Sequence, residues 1–275
     1  MNLSTITEVK RPTSCDDIGG WRDGYSWLAG GTWLFSEPQV AVDTLIDLDA
    51  LGWTPLTVTE AGLDIAATCR VVELHDFHGD FQGLPGWRAV PLFRQTIDAF
   101  LMSFKIWNAA TIGGNVCMSL PAGAMISLTA ALEGVCTLWP REGEPREVSV
   151  VDFVTGNHQN VLQKGELLRK IHLPVAALSK RAAMRQVSLT KFGRSAALII
   201  ATVEDNGADF LLTVSAATPR PVQLRFAKFP SAAELRQALE ARLPPDAYFE
   251  DVHGSAAYKR HVTLYLAEQI REELA

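Results

Sequence analysis

The sequence predicts an α+β chain in three successive parts, and three observations carry that prediction. A short apolar strand at residues 26–29 runs into a Gly30-Gly31 turn, and a second strand follows at 44–48. A hairpin within residues 54–69 then leads to a helix begun by Pro91 and to a second turn, Gly113-Gly114. The last third reads as three strands followed by two amphipathic helices, an order that marks a separate α+β unit. The parts are residues 1–53, 54–178 and 179–275.

Taken in order, Val9-Lys10-Arg11-Pro12 is an extended entry in which the proline ring fixes φ. Residues 14–22 predict a short helix with Ser14 as N-cap and Asp17 three residues on. Leu56-Thr57-Val58 and residues 63–67 flank Glu60-Ala61-Gly62 as a hairpin. Pro91 suits the first turn of a helix. Phe93, Ile97, Phe100, Leu101 and Phe104 then recur at helical spacing on a single face, which reads as core packing. Pro121-Ala122-Gly123 opens another helix, with Leu128, Ala131, Leu132 and Val135 inward, and strands 135–139 and 147–151 pair around a turn.

Residues 166–174 form a partly alternating strand that stops at Pro174; His172 within it reads as a structural contact, not a catalytic group. Strands follow at 183–189, 196–204 and 210–217, with Asp205-Asn206-Gly207 as the clearest turn. Ser231 and Glu234 make a capping box for a helix reaching Leu243. The final helix, residues 255–274, sets Tyr258, Val262, Leu266 and Ile270 on one face and gives Lys259, Arg260 and Arg271 to solvent.

Composition narrows the functions. Nearly half of the 275 residues are apolar and a fifth charged, ordinary globular usage. The net charge of −6 and the lack of a basic tract disfavour nucleic acid. No apolar run reaches membrane-spanning length, and no secretion signal opens the sequence. Cys15, Cys69, Cys117 and Cys136 are scattered, with no Cys-x-x-Cys pair for zinc or an iron–sulfur cluster. They read as reduced thiols of a cytoplasmic protein, and no metal site or catalytic constellation is expected.

The two glycine turns are the candidate binding elements. Glycine exposes backbone amides and tolerates positive φ, and successive amides in a tight turn form a concavity suited to phosphate. The two turns lie about eighty residues apart, each beside a Thr and an apolar segment. Neither is a Rossmann fingerprint, since Gly-x-Gly-x-x-Gly is absent, and neither ends in the Gly-Lys-Ser/Thr of a P-loop.

These pieces recur in order across nearly the whole chain: Arg11-Pro12, Ala29-Gly30-Gly31-Thr32, Leu45-Ile46-Asp47-Leu48, Asn108, Thr111-Ile112-Gly113-Gly114-Asn115, Asp152-Phe153, Gly165-Glu166-Leu167-Leu168, Thr218-Pro219 and Gly254-Ser255-Ala256-Ala257-Tyr258-Lys259-Arg260-His261. The set resembles the FAD-binding medium subunit of the molybdenum hydroxylases, the xanthine dehydrogenase and carbon-monoxide dehydrogenase family. The resemblance implies a two-lobed FAD-binding fold of the PCMH, vanillyl-alcohol-oxidase-like type. A C-terminal three-stranded sheet with helices, like that of carbon-monoxide dehydrogenase flavoproteins, would follow it.

It implies FAD as cofactor, with its diphosphate and sugars wrapped by Leu28, Ala29, Gly30, Gly31, Thr32 and Trp33 on one side. Ala110, Thr111, Gly113, Gly114 and Asn115 would hold the other side; Leu168 would lie near the flavin and adenine, and Arg185 near the isoalloxazine. The implied partners are a large molybdenum-cofactor subunit and a small [2Fe–2S] subunit, in a heterotrimer that passes electrons through FAD to an external acceptor. Three positions depart from the family pattern. Trp33 stands where relatives carry a small polar residue, Ala124 in place of an aspartate, and Trp107 in place of an arginine. Two other functions stay open: a flavin-free structural or assembly subunit, and a stand-alone flavin oxidase of related fold.

Overall fold

The computed structural model describes residues 3–77, 86–99, 102–191 and 193–275. Strands β1 (Glu8–Lys10), β2 (Tyr25–Leu28) and β3 (Thr44–Asp47) form a parallel sheet in the order β1-β3-β2. The central strand is the apolar one, with Thr44, Leu45 and Ile46 buried. Residues 14–22 give one 3-10 turn, Asp16–Ile18, in place of the expected helix. Ser14 and Asp17 do exchange the hydrogen bonds of a helix start, but Gly19, at φ +67°, takes the chain out of helix after one turn.

The middle segment runs β4 (Leu56–Thr59), β5 (Gly62–Ala66), α1 (Val71–His75), α2 (Pro91–Asp98), α3 (Phe104–Trp107), α4 (Ile112–Met118), α5 (Ala124–Ala131), β6 (Val135–Trp139) and β7 (Arg146–Ser149). It continues with α6 (Val150–Phe153), the small pair β8 (Val154–Gly156) and β9 (Gln159–Asn160), β10 (Leu167–Pro174) and α7 (Val175–Leu178). Five of these strands make an antiparallel sheet in the order β4-β5-β10-β6-β7. Alternation sorts its faces. Leu63, Ile65, Ile171 and Leu173 enter a core with Phe93 and Leu128, while Asp64, Lys170 and His172 stand on the other side. There His172 Nδ1 lies 2.7 Å from Asp64 Oδ1, a structural contact as its strand position suggests.

The expected long phenylalanine face does not form. α2 stops at Asp98 and a new turn begins after Ser103, which leaves Phe104 68% exposed. Phe93 and Ile97 are core residues; Phe100 and Leu101 lie outside the described residues.

The C-terminal sheet has four strands, not three: β11 (Arg181–Ser188), β12 (Ser195–Val203), β13 (Ala208–Ser215) and β14 (Val222–Lys228), antiparallel and in chain order. The fourth follows Pro219 and Pro221 and sits at an edge, with Val222, Leu224 and Phe226 toward the core and Arg225 outward. α8 (Ala232–Arg242) opens on the Ser231–Glu234 capping box, and α9 (Ala256–Leu274) closes the chain. All nine residues of β12 are buried because both faces are covered. Leu198 and Ile200 join the core of the middle segment beside α5, while Ile199, Ala201 and Val203 join a second core under α8 and α9.

Lys259 corrects the solvated-face expectation. It is 0% exposed, its Nζ lies 2.9 Å from Asp251 Oδ1, and it sits 5.3 Å from the Phe249 ring centre. Arg260 and Arg271 do remain at the rim, paired with Glu240 and Glu268.

A four-charge cluster ties the C-terminal sheet to the end of α5. The ammonium of buried Lys180 lies 2.7 Å from Glu133 Oε1 and 2.6 Å from Asp209 Oδ2. Arg225 pairs with the same two carboxylates. Burial alone would raise the Asp209 pKa; the hydrogen bond and charge of Lys180, with Arg225, outweigh it and hold it below its ordinary value. A lowered carboxylate pKa stabilises the fold above the unfolded value of about 3.9, and that contribution is lost as pH falls through the folded one. Lys180→Met should therefore cost about 1–3 kcal/mol at neutral pH, less than a fully buried pair because both carboxylates are partly solvated. Urea melts of both proteins should differ at about pH 7, and the gap should narrow as pH falls below about 3.9; a gap that does not narrow on acidification would contradict this account.

Candidate functional site

Leu28 ends β2, and the chain turns at Gly30 and Gly31, the latter at φ +67°. Gly30 has no room for a side chain, since a Cβ there would lie 1.8 Å from the Ala109 carbonyl oxygen. The first loop is thus in backbone contact with the segment that leads into the second. Past the turn, the Phe35 amide closes onto the Gly31 carbonyl at 2.8 Å. The amides of Gly30, Gly31, Thr32, Trp33 and Leu34 donate to no acceptor among the described residues.

The second loop is built differently. Thr111 is the N-cap of α4, its hydroxyl accepting from the Gly114 amide at 3.1 Å. The Ile112 and Gly113 amides donate to the carbonyls of Cys69 and Ala67, and the Asn115 amide to that of Thr111. Gly113 is required by packing, because a Cβ there would lie 2.5 Å from that of Ala67. Free amides are therefore found in the first loop alone of the two; in the second the amides serve the helix start and the segment after β5. The Asn115 Oδ1 caps α5 by accepting from the Met125 amide at 3.1 Å.

Between the loops lies a cavity of about 600 Å³, within the range of small-molecule sites. Ala29, Gly30, Gly31, Thr32, Trp33, Ala110, Thr111, Gly113, Gly114, Asn115 and Leu168 all line it. Leu28 and Arg185 do not. Leu28 remains in the ladder of β2, its carbonyl accepting from the Leu48 amide. Arg185 is registered opposite Ile199, on the face that meets α9, and its guanidinium pairs with Glu273. Ala124 is buried at the first turn of α5 and Trp107 packs against His75 with ring centres 4.9 Å apart; neither reaches the cavity.

Sequence reasoning missed the rest of the wall. Asn157 and His158 come from the turn between β8 and β9, Arg194 from the turn before β12, and Phe249, Asp251 and His253 from the loop before α9. The His158 ring sits 5.7 Å from that of Trp33. The Asn157 Oδ1 is buried with no donor, and Arg194 has no carboxylate partner among the described residues. The lining carboxylates are both occupied: Asp251 by Lys259, and Glu166 by a bidentate Arg146 at 2.7 Å. Burial would raise the Glu166 pKa, but Arg146 and the Gln163 amide hold it below its usual range. The Cys117 thiol is pushed up to about 12 by burial and stays protonated at neutral pH. The glycines were the readable signal, whereas these loops reach the cavity only through long-range packing.

Residues 7–176 match the family described as the FAD binding domain in molybdopterin dehydrogenase. The beta subunit of caffeine dehydrogenase from Pseudomonas sp. (strain CBB1) is 27% identical over 123 residues, a match spanning 44% of this chain and 41% of that protein. The chain thus covers less than half the length of that relative. Quinoline 2-oxidoreductase from Pseudomonas putida 86 superposes with a TM-score of 0.80 at 17% identity, over 100% of this chain and 98% of that one. Reconstituted CO dehydrogenase from Oligotropha carboxidovorans gives 0.84 at 20% identity, over 100% and 99%. At such identities these likenesses concern the fold.

The two glycine loops should respond unequally to a methyl group. Gly30→Ala drives a Cβ into a backbone carbonyl and should destabilise by about 1–3 kcal/mol or more. At Gly114 the contact is only the Thr111 hydroxyl at 2.9 Å, so Gly114→Ala should cost about 0.5–2 kcal/mol, the worth of the cap. Thermal melts of the two variants test this; a Gly114→Ala loss equal to or above that of Gly30→Ala would refute it.

Proposed function

The chain belongs to the family of FAD-binding domains of molybdopterin dehydrogenases, and from that premise we propose that it is the flavin-carrying electron-transfer subunit of a molybdenum hydroxylase complex. The observation that carries this reading is the first glycine loop, five successive amides with no acceptor among the described residues, on the wall of the large cavity. An FAD diphosphate needs such donors. The fit extends beyond the amides. Asn157 Oδ1 is a buried acceptor awaiting an N–H or O–H donor, and Arg194 is a cation without a partner among the described residues.

In this assignment Gly30, Gly31, Thr32 and Trp33 hold the diphosphate through their amides, with Ala29 beside them. Ala110, Thr111, Gly113, Gly114 and the Asn115 side-chain amide face the sugars. Trp33 with His158 supplies an aromatic wall, and Leu168 an apolar one. When bound, FAD supplies one- and two-electron redox chemistry between the [2Fe–2S] clusters of a small partner subunit and an external acceptor. This chain's own residues bind and orient it and keep water from it. Substrate hydroxylation belongs to a large molybdenum-cofactor subunit. Residues 1–53 and 54–178 act as the two lobes around the cofactor and 179–275 as a third domain that closes the cavity. Four free thiols and the absence, among the described residues, of any helix able to cross a membrane are in keeping with a cytoplasmic complex.

One observation favours the alternative, a flavin-free structural subunit: the second loop spends its amides internally. Incubation of the purified chain with FAD followed by desalting separates the two. The electron-transfer reading expects a stoichiometric flavin spectrum, lost in Gly30→Ala and kept in Gly114→Ala. A folded wild-type chain that retains no flavin would decide for the structural role. Flavin reduction by a substrate in the isolated chain would instead reveal a stand-alone oxidase.

A further inference from the structure

The outer face of the middle sheet carries a feature that flavin binding does not use. β10 has a bulge between Leu168 and Lys170, where register with β6 shifts by one residue. A bulge re-aims the extra side chain. Leu168 is left on the inner face, at the large cavity, while both Arg169 and Lys170 line a separate cavity of about 320 Å³. Two successive basic residues thus share one hollow, which an unbroken strand would have divided between faces.

The chemistry of that hollow is one-sided. The Arg169 guanidinium lies 4.1 Å from the Trp53 ring centre and 5.3 Å from that of Trp139. Stacking uses the faces of the guanidinium and leaves its in-plane N–H edge as donor. That edge makes no hydrogen bond or ion pair with any described residue. Thr54, Thr57 and Thr137 line the same space, and none of their hydroxyls has a hydrogen-bond partner among the described residues. The lining carboxylate, Asp64, is committed, one oxygen to Lys170 at 2.6 Å and the other to His172 at 2.7 Å. Two cations face one carboxylate, and the uncommitted side chains are donors.

We infer that this hollow is a second binding site, for a small phosphate-type oxyanion held by Arg169 and the three threonine hydroxyls. A tetrahedral oxyanion offers acceptors in several directions and matches a rigid guanidinium fork together with rotatable hydroxyls. The site stands back to back with the large cavity, one residue along β10, and does not depend on what that cavity binds. Occupancy bears directly on the bulge that orients Leu168.

Trp53 and Trp139 flank the cation and report on it. The test is a tryptophan-fluorescence titration of the full chain with inorganic phosphate, with FAD present in excess so that the large cavity contributes nothing. Sodium chloride at matched ionic strength is the control. A saturable response to phosphate, weakened about tenfold or more in Arg169→Gln, is expected from loss of a charge-assisted hydrogen bond. Thr137→Val, which keeps the stacked cation, should weaken it less, and it decides alone if Arg169→Gln does not fold. A response that chloride reproduces, or one unchanged in the variants that fold, overturns the site.

Discussion

The contact between Gly30 and the Ala109 carbonyl is the constraint on which the rest depends. It brings the backbone of the N-terminal sheet against the backbone of the middle segment at a distance that excludes even a methyl group. The meeting point is stitched on both sides. The Val71 amide donates to the Ala110 carbonyl and that of Ile112 to the Cys69 carbonyl, and the Trp27 indole donates to the Glu166 carbonyl at 3.1 Å. Backbone packed this closely cannot drift as side chains do, so the cavity edge is set by main-chain geometry. A binding surface made of amides gains from that rigidity, because amides held in place lose little freedom when a ligand arrives.

The third wall is brought by charge as much as by apolar packing. β12 is shared by two cores, so the C-terminal unit cannot separate without exposing both. The Lys180 cluster fixes one end of this junction at Glu133 and Asp209, residues held at φ +55° and +48°. Within the C-terminal unit, buried Lys259 holds Asp251, whose second role is to accept from the His253 amide at 2.8 Å and shape the loop that lines the cavity. A buried ion pair contributes modest net stability but punishes the loss of one partner. Such pairs suit a joint that must keep one arrangement.

What the sequence reveals follows the range of the forces involved. Gly-Gly beside an apolar segment is a local signature, and both loops were legible from it, as were the hairpin at 60–62 and the capping box at Ser231. The fourth strand of the last sheet was overlooked although Val222, Leu224 and Phe226 alternate with Gln223 and Arg225, a readable strand signal just past Pro219 and Pro221. Lys259 falls at helical spacing with Val262, Thr263, Leu266 and Ile270, and only its charge suggested solvent; Asp251, eight residues earlier and folded back by Gly254 at φ +149°, makes its burial possible. Arg185 shows the limit of positional matching, since the pairing of Arg185 with Ile199 turns it toward α9 and away from the cavity. Asn157, Arg194 and Phe249 reach the cavity from three loops distant in sequence, and no local pattern records such a meeting.

The positions where this chain departs from its family pattern take on a physical sense in that frame. An aspartate at position 124 would place a carboxylate in the first turn of α5, where the residue is 2% exposed. Here Asn115 caps that helix start, accepting from the Met125 amide. Trp33 sets an aromatic surface against His158. Neither side chain takes up the free amides at 30–34. Because those amides belong to the main chain, only a proline can delete one; any other substitution can only displace it, and Gly30 is the residue through which displacement would come.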